Sequence, residues 1–224
     1  SDAFDPAKNG FSAIPKFDRW TFNPRIFFEG AKSELKIGLN AIQEDRLGGY
    51  MQYVNKKNSV PAYFEQINTD RLSSQIEYIR ELNSGNEIVF KNSINHYKQE
   101  HKIPTYFFAG TQTSSFSELH LLGASQKLDW VIGINLWTEK FDQEKPDSLQ
   151  NLDLKTETWG LFTQGTFLIN DYWSLETGLR VDQTSDYGSF VLPRISFLYT
   201  PDESLSLRLG GGLGYKEPSS FNDE

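Results

Sequence analysis

The side chains best equipped for chemistry are carboxylates set along alternating segments. Glu118 and Asp129, or Glu176 and Asp182, are the kind of acid pair that a glycosidase places on either side of a scissile bond. Alternation puts many carboxylates on a wetted strand face by default, so these pairs do not mark a catalytic site. No Ser/His/Asp arrangement is marked either, and no enzyme activity is expected. His96, His101 and His120 lack the HxH or HxxxH spacing that brings two imidazoles to one ion. They read as solvated strand or loop residues, with no metal and no cofactor. The run Gly210-Gly211-Gly212-Leu213-Gly214 follows a strand but opens no helix, so it is not a nucleotide fingerprint. Inward-facing glycine instead lets another backbone, or a plug, come close. Asp142-Gln143-Glu144-Lys145-Pro146-Asp147 has oxygen ligands for Ca2+ without the spacing of a calcium loop.

Aromatic residues between the alternating segments are better binding candidates. Tyr50, Tyr53, Tyr63 and Phe64 fall in one such stretch, and Tyr106, Phe107 and Phe108 in another. Rings of this size are costly to leave in water. Each group therefore packs on itself, lies at a membrane–water boundary, or offers a stacking surface to a ligand. All seven are retained as ligand-binding candidates.

The elements that must carry these residues are strands. From Trp173 the odd positions are Trp173, Leu175, Thr177, Leu179 and Val181, against Ser174, Glu176, Gly178, Arg180 and Asp182. Leu205, Leu207, Leu209, Leu213 and Tyr215 likewise oppose Ser206, Arg208 and Lys216. A period of two means extended chain with one apolar and one polar face. Parity predicts that Tyr215 shares the leucine face and that no helix lies in 204–216. Trp173, Tyr215, Trp159 and Tyr199 stand near strand ends, where an interfacial girdle would sit. Earlier strands are expected over Arg19–Glu29, Leu35–Ala41, Arg71–Leu82, Glu87–Tyr97, Ser115–Leu122 and Leu128–Thr138. Pro24 inside the first predicts a bulge or a locally broken ladder.

Short turns at Gly30–Ser33, Asn83–Asn86, Gly123–Gln126, Asn170–Tyr172 and Pro201–Ser204 alternate with long segments 47–68, 98–113 and 139–153. Up-and-down pairing then puts the short turns at one rim and the long loops at the other. About ten strands of roughly 9–13 residues suit a tilted crossing of a bilayer. Asn23-Pro24-Arg25-Ile26-Phe27-Phe28 and Leu192-Pro193-Arg194-Ile195-Ser196-Phe197 open similar hairpins, without a fixed repeat period.

Several of these stretches also resemble one family. Gly178-Leu179-Arg180-Val181-Asp182, Pro193-Arg194, Pro201-Asp202, the Leu/Arg/Gly strand Leu205 to Gly214, Gly214-Tyr215-Lys216-Glu217-Pro218 and Phe221 to Glu224 together resemble the barrel of TonB-dependent outer-membrane receptors. Glu217 departs from the small residue often found at its place. Glu44-Asp45-Arg46-Leu47-Gly48-Gly49 is similar to a strand-to-loop transition in a subset of them. The strong part covers the last third of the chain.

The resemblance implies an all-β fold, antiparallel and up-and-down, with about ten strands of a larger transmembrane ring. On that expectation residues 1–224 are part of a receptor barrel, cut at both ends, with plug and closing strands absent. It further implies uptake of a scarce nutrient, an iron chelate or a cobalamin-like cofactor, across the cell outer membrane. The partners would be the small-molecule ligand, outer-membrane lipid, and TonB only through the absent plug. The fragment itself would self-associate by edge or apolar face. The rival is a soluble all-β ligand-binding module with the apolar faces as core.

Composition is consistent with either. The chain has 224 residues, 9 Pro, 17 Gly and no cysteine, so disulfides and thiol chemistry are excluded. A formal net charge of -8 argues against nucleic acid, whose phosphates call for a basic surface. No apolar run is long enough for a transmembrane helix, which leaves membrane strands open.

Overall fold

The computed structural model describes residues 2–55, 63–144 and 152–216. The end of the acidic loop (Lys145-Pro146-Asp147), Pro61 and the motif residues Glu217, Pro218 and Phe221 to Glu224 lie outside them. Among the described residues, eleven strands form one antiparallel sheet: β1 (Lys16–Phe22), β2 (Arg25–Gly30), β3 (Ser33–Gly49), β4 (Phe64–Glu81), β5 (Glu87–Ile103), β6 (Tyr106–Ala124), β7 (Leu128–Gln143), β8 (Leu154–Leu168), β9 (Trp173–Thr184), β10 (Gly188–Asp202) and β11 (Leu205–Gly212). A single helical turn, α1 (Met51–Val54), follows β3. Each strand from β3 onward pairs with the next, and β1 and β2 lie end to end along β3. The sheet thus has ten strand positions, as the alternation predicted.

Pro24 explains the break between β1 and β2. The register runs straight through it, from Phe22↔Ala41 to Arg25↔Gly38, so there is no bulge. The Pro24 carbonyl accepts from the Leu39 amide at 3.1 Å, but proline has no N–H to return. The ladder is interrupted while the chain stays in line. The turn into β11 is held by Asp202, whose carboxylate accepts from the Ser204 hydroxyl and from the amides of Ser204 and Leu205. These bonds, the hydroxyl foremost, hold its pKa below the ordinary aspartate value.

All five short turns lie at one rim, because successive strands run antiparallel. The other rim departs from expectation. Residues 98–113 are not a long loop: β5 continues to Ile103, β6 begins at Tyr106, and only Pro104-Thr105 connects them. The ends of 47–68 and the first five residues of 139–153 are strand as well, and β9 joins β10 through a short turn at 185–187. Short and long connections therefore do not alternate strictly. Strands β3 to β8 run 15 to 19 residues, longer than the expected 9–13. The cause is legible on β7. Leu128, Trp130, Ile132, Ile134 and Leu136 form its apolar row, and Thr138, Lys140 and Asp142 continue the same face. Nine residues at about 3.3 Å each, tilted by about 40°, cover roughly 23 Å, close to the ~25 Å height of a membrane-facing band. The strand then continues into water, still paired.

Burial decides which face is inside. Leu209, Val191 and Leu161 on the apolar face are 77%, 58% and 57% exposed. Glu44, Asn135, Thr158, Asp182, Thr184 and Ser196 are buried, and register places all of them on the polar face. A flat single sheet would expose both faces alike, so the sheet curves with its polar face concave. That inverts a water-soluble protein, whose apolar side chains go inside. It removes the soluble-module alternative, which needs the apolar face as a core.

The parity of β11 holds for Leu205, Leu207 and Leu209, which share a face with Tyr199 and Phe197 and oppose Arg208. No helix occurs in the described residues of that stretch. Tyr215 is a correction. The strand ends at Gly212, alternation lapses, and the Tyr215 ring stacks on Phe190 of the concave face at 4.0 Å. Trp173 and Tyr199 do stand on the apolar face, stacked at 4.3 Å beside the short-turn rim.

Candidate functional site

The first aromatic group is organised by the chain's N-terminal segment. The Ser12 hydroxyl accepts from the Gly49 amide at 2.9 Å, and the Met51 amide donates to the Gly10 carbonyl at 2.9 Å. Gly49 adopts a φ of +117°, and a Cβ there would meet the Tyr63 carbonyl oxygen at 2.4 Å. The glycine lets the two ends of the β3–β4 connection close, with the Tyr50 amide donating to Tyr63 at 3.0 Å. Phe11 then lies between two candidates, edge-on to Tyr50 at 5.1 Å and stacked on Tyr63 at 5.7 Å. Tyr53 stacks on Phe64 at 4.8 Å. Tyr50 and Tyr63 stay exposed on one side of this pile.

The second group sits on strand, not on loop. Tyr106, Phe107 and Phe108 begin β6, so Phe107 points to the opposite face from its neighbours. Phe108 stacks on Phe141 of β7 at 6.2 Å, on the concave face, and Tyr106 is exposed beside the tight turn. Both groups belong to the same rim but to different connections, β3–β4 and β5–β6.

Between that rim and the middle of the concave face lies a groove that the periodicity did not single out. It is lined by Arg19, Ile42, Glu44, Arg46, Ile67, Thr69, Arg71, Tyr97 and Gln99, from β1, β3, β4 and β5. Arg19 stands directly across from Glu44, and Arg46 follows two residues on. The Glu44 carboxylate forms ion pairs with both guanidinium groups and is itself only 8% exposed. Arg71 donates through Nε to Asn95 Oδ1 at 2.8 Å, and Ser73 donates to the same oxygen. Parity gave each residue its face. Only the register brings three arginines from three strands together.

The carboxylates considered for acid–base work do not form pairs. Glu176 bonds to Arg194 at 3.0 Å, Asp182 to Arg180 at 2.7 Å, and Glu118 to His120 at 3.0 Å. Glu176 and Asp182 are six residues apart on one strand, about 20 Å, too far to flank one bond. His101 meets Glu65 at 2.9 Å, and His96 meets Thr113 at 3.0 Å on the opposite face. A second polar network joins Asn135, Arg180 and Asp182 across β7 to β9, and the Tyr215 hydroxyl donates to Asp182 at 3.0 Å. In β11, a Cβ at Gly210 would meet the Ile195 carbonyl and Ser196 at 3.1 Å. The close backbone approach there is to the neighbouring strand β10.

Comparison with solved structures shows the same architecture. The siderophore receptor PirA from Pseudomonas aeruginosa superposes with a TM-score of 0.65 at 15% identity, over 92% of this chain and 41% of that one. A mutant of the ferric enterobactin receptor PfeA from Pseudomonas aeruginosa gives 0.70 at 11% identity, over 98% and 36%. PirA from Acinetobacter baumannii gives 0.59 at 13%, over 90% and 34%. This chain thus spans about two fifths or less of the length of those receptors. Comparison with curated protein sequences finds no match. The sequence profile described as TonB dependent receptor-like, beta-barrel, matches residues 7–223. With an exposed apolar band, a charged concave face and a profile match over nearly its whole length, the chain belongs to the TonB-dependent receptor β-barrel family.

Proposed function

We propose that this chain forms part of the barrel wall of an outer-membrane receptor that takes up a scarce nutrient, such as an iron chelate. The observation that carries the reading is the inverted sheet: a bilayer-high apolar face outside and a buried, ion-paired face inside. Such a wall is stable only with lipid on one side and a wet or plugged interior on the other. Short turns then mark the periplasmic rim, and the rim with the aromatic groups faces outward. Ten strand positions are under half of the roughly 22 in plugged transporters of this type. The edges at β1 and β11 pair no further strand among the described residues. Both points support a larger ring whose remaining strands and plug are supplied by sequence outside this chain. TonB would act through that plug, not through the residues described here.

Ligand capture is assigned to the aromatic pile at the outward rim, where Tyr50 and Tyr63 keep an exposed side. The test is radioiron uptake by cells carrying the complete receptor, offered a panel of siderophores. At least one chelate should enter, and entry should cease when TonB is deleted. Tyr50→Ala with Tyr63→Ala should weaken binding of that chelate by about tenfold, the scale of losing one or two ring contacts. Uptake indifferent to TonB would overturn the reading.

A further inference from the structure

We infer that a groove on the apolar face, in its half nearer the short-turn rim, seats one acyl chain of a phospholipid whose headgroup carries a phosphate and an amine. The inference rests on the lipid-facing reading above and adds a fixed site to it. Register sets Trp130 of β7, Gly165 of β8 and Thr177 of β9 side by side on that face. Trp130 leans away from Gly165. Its ring lies over Gly123 of β6, in the space that a Cβ at that glycine would need. Gly165 therefore floors an open trough of about 360 Å³, walled by Trp130, Phe167 and Leu179. Phe167 and Leu128 border the glycine toward the rim, at 3.2 and 3.3 Å from where a Cβ would stand. At the other end Thr163 donates its hydroxyl to the Val131 carbonyl at 3.2 Å. That turns its polar atom to the backbone, so hydrocarbon can cover it without leaving a donor unpaired.

A glycine inside a paired strand often marks the close approach of another group. At Gly123 that group is the indole of Trp130, and at Gly165 the trough offers the same room to a chain from outside. Lipid tails are as apolar as leucine, so escape from water gives no preference for this spot. Shape does: a tail lying in the trough meets a floor and two walls, while one against a convex strand meets protein on one side only. The mouth adds charge. The Leu168 amide donates to the Lys127 carbonyl at 2.9 Å, which ties the β6–β7 turn to the end of β8 and holds an exposed lysine at the rim. The β8–β9 turn on that rim carries exposed Asp171. A headgroup with a phosphate and an amine meets one charge of each sign there.

The experiment uses the complete receptor, purified in detergent and stripped of lipid. It is offered dioleoylphosphatidylethanolamine or dioleoylphosphatidylglycerol, and bound lipid is counted by native mass spectrometry. One phosphatidylethanolamine should stay on each receptor at concentrations where phosphatidylglycerol is lost. Gly165→Leu fills the trough and should weaken that binding about tenfold, the scale of losing ten or so carbon contacts. Gly165→Ala should weaken it less. Lys127→Gln should weaken it about fivefold, as for one basic contact to a headgroup. Val191→Leu, on the same face away from the groove, should leave it unchanged, and heat-modifiable gel mobility shows that each variant is folded. Lipid binding unmoved by every groove variant, or equal for the two lipids, would overturn the inference. So would lipid-free dimers that Gly165→Leu dissociates, since the groove would then be a contact between copies. A receptor that stays monodisperse without detergent would sink the lipid-facing reading itself, and the inference with it.

Discussion

At the residue scale, the concave face is held by a few side chains reaching across strands, and glycine makes room for one of them. Arg180 on β9 passes over Gly160 of β8 to reach Asn135 of β7 at 3.1 Å. A Cβ at Gly160 would meet Asn135 Oδ1 at 2.5 Å, Arg180 Nη2 at 2.6 Å and Asp182 Oδ1 at 2.7 Å. All three belong to the polar network, so a side chain there must push the guanidinium aside. Asp182 is 3% exposed and would lose its main counter-charge in an enclosed place. Gly160→Val should therefore destabilise the barrel by about 1–3 kcal/mol, the cost of breaking a buried charge-assisted bond, partly relieved by the exposed side of Arg180. Urea unfolding in detergent would measure it. An unchanged midpoint would mean that Arg180 swings away freely and that the network contributes nothing.

At the scale of the element, each strand serves two environments in succession. Along β7 the outward row is apolar through Leu136 and charged from Lys140 onward, while hydrogen bonding to β6 and β8 is continuous. Side-chain polarity along one face, not the end of the ladder, sets where the bilayer stops. An arginine in place of Ile134 would sit within the apolar row, where charge on a lipid face costs about 2–4 kcal/mol near the midplane. The same change at Thr138, at the border, should cost about 0–1 kcal/mol. Folding of both variants into bilayers of defined thickness would measure the difference. Equal costs at the two positions would refute the assignment of the belt. The two prolines fit the same logic. Pro24 and Pro193 each accept an amide, from Leu39 at 3.1 Å and Leu213 at 3.0 Å, and return none. One lies on the edge strand itself, the other beside it.

For the whole molecule the edges and the apolar face determine how this chain behaves in plain water. The sheet leaves β1 and β11 without further partners among the described residues, and its apolar face is far larger than a soluble monomer exposes. In water the free energy of that face drives association, by edges or face to face. Light scattering in detergent-free buffer should show oligomers or aggregates that bind an apolar dye, and detergent should disperse them. A compact, dye-silent monomer in plain buffer would contradict both the association and the lipid-facing assignment.

Alternation alone was enough to identify strands, the polarity of their faces, the short-turn rim and the interruption at Pro24. Each of these depends on neighbours in sequence or on a period of two, and so is written locally. The family resemblance added the direction of the inversion, which periodicity leaves open because a two-faced strand reads the same in a sandwich and in a membrane. Three things were decided only by tertiary structure. Strand length was underestimated because charged outward residues such as Lys98 and Lys140 resemble loop, although pairing carries them past the bilayer. Tyr215 was misplaced because alternation stops with the last paired residue, after which a ring stack and a bond to Asp182 choose its side. The arginine groove stayed hidden because its members are distant in sequence, from Arg19 to Arg71, and only the register of three strands sets them on one wall. Local periodicity fixes which way a side chain points, while its neighbours are set by how the strands align.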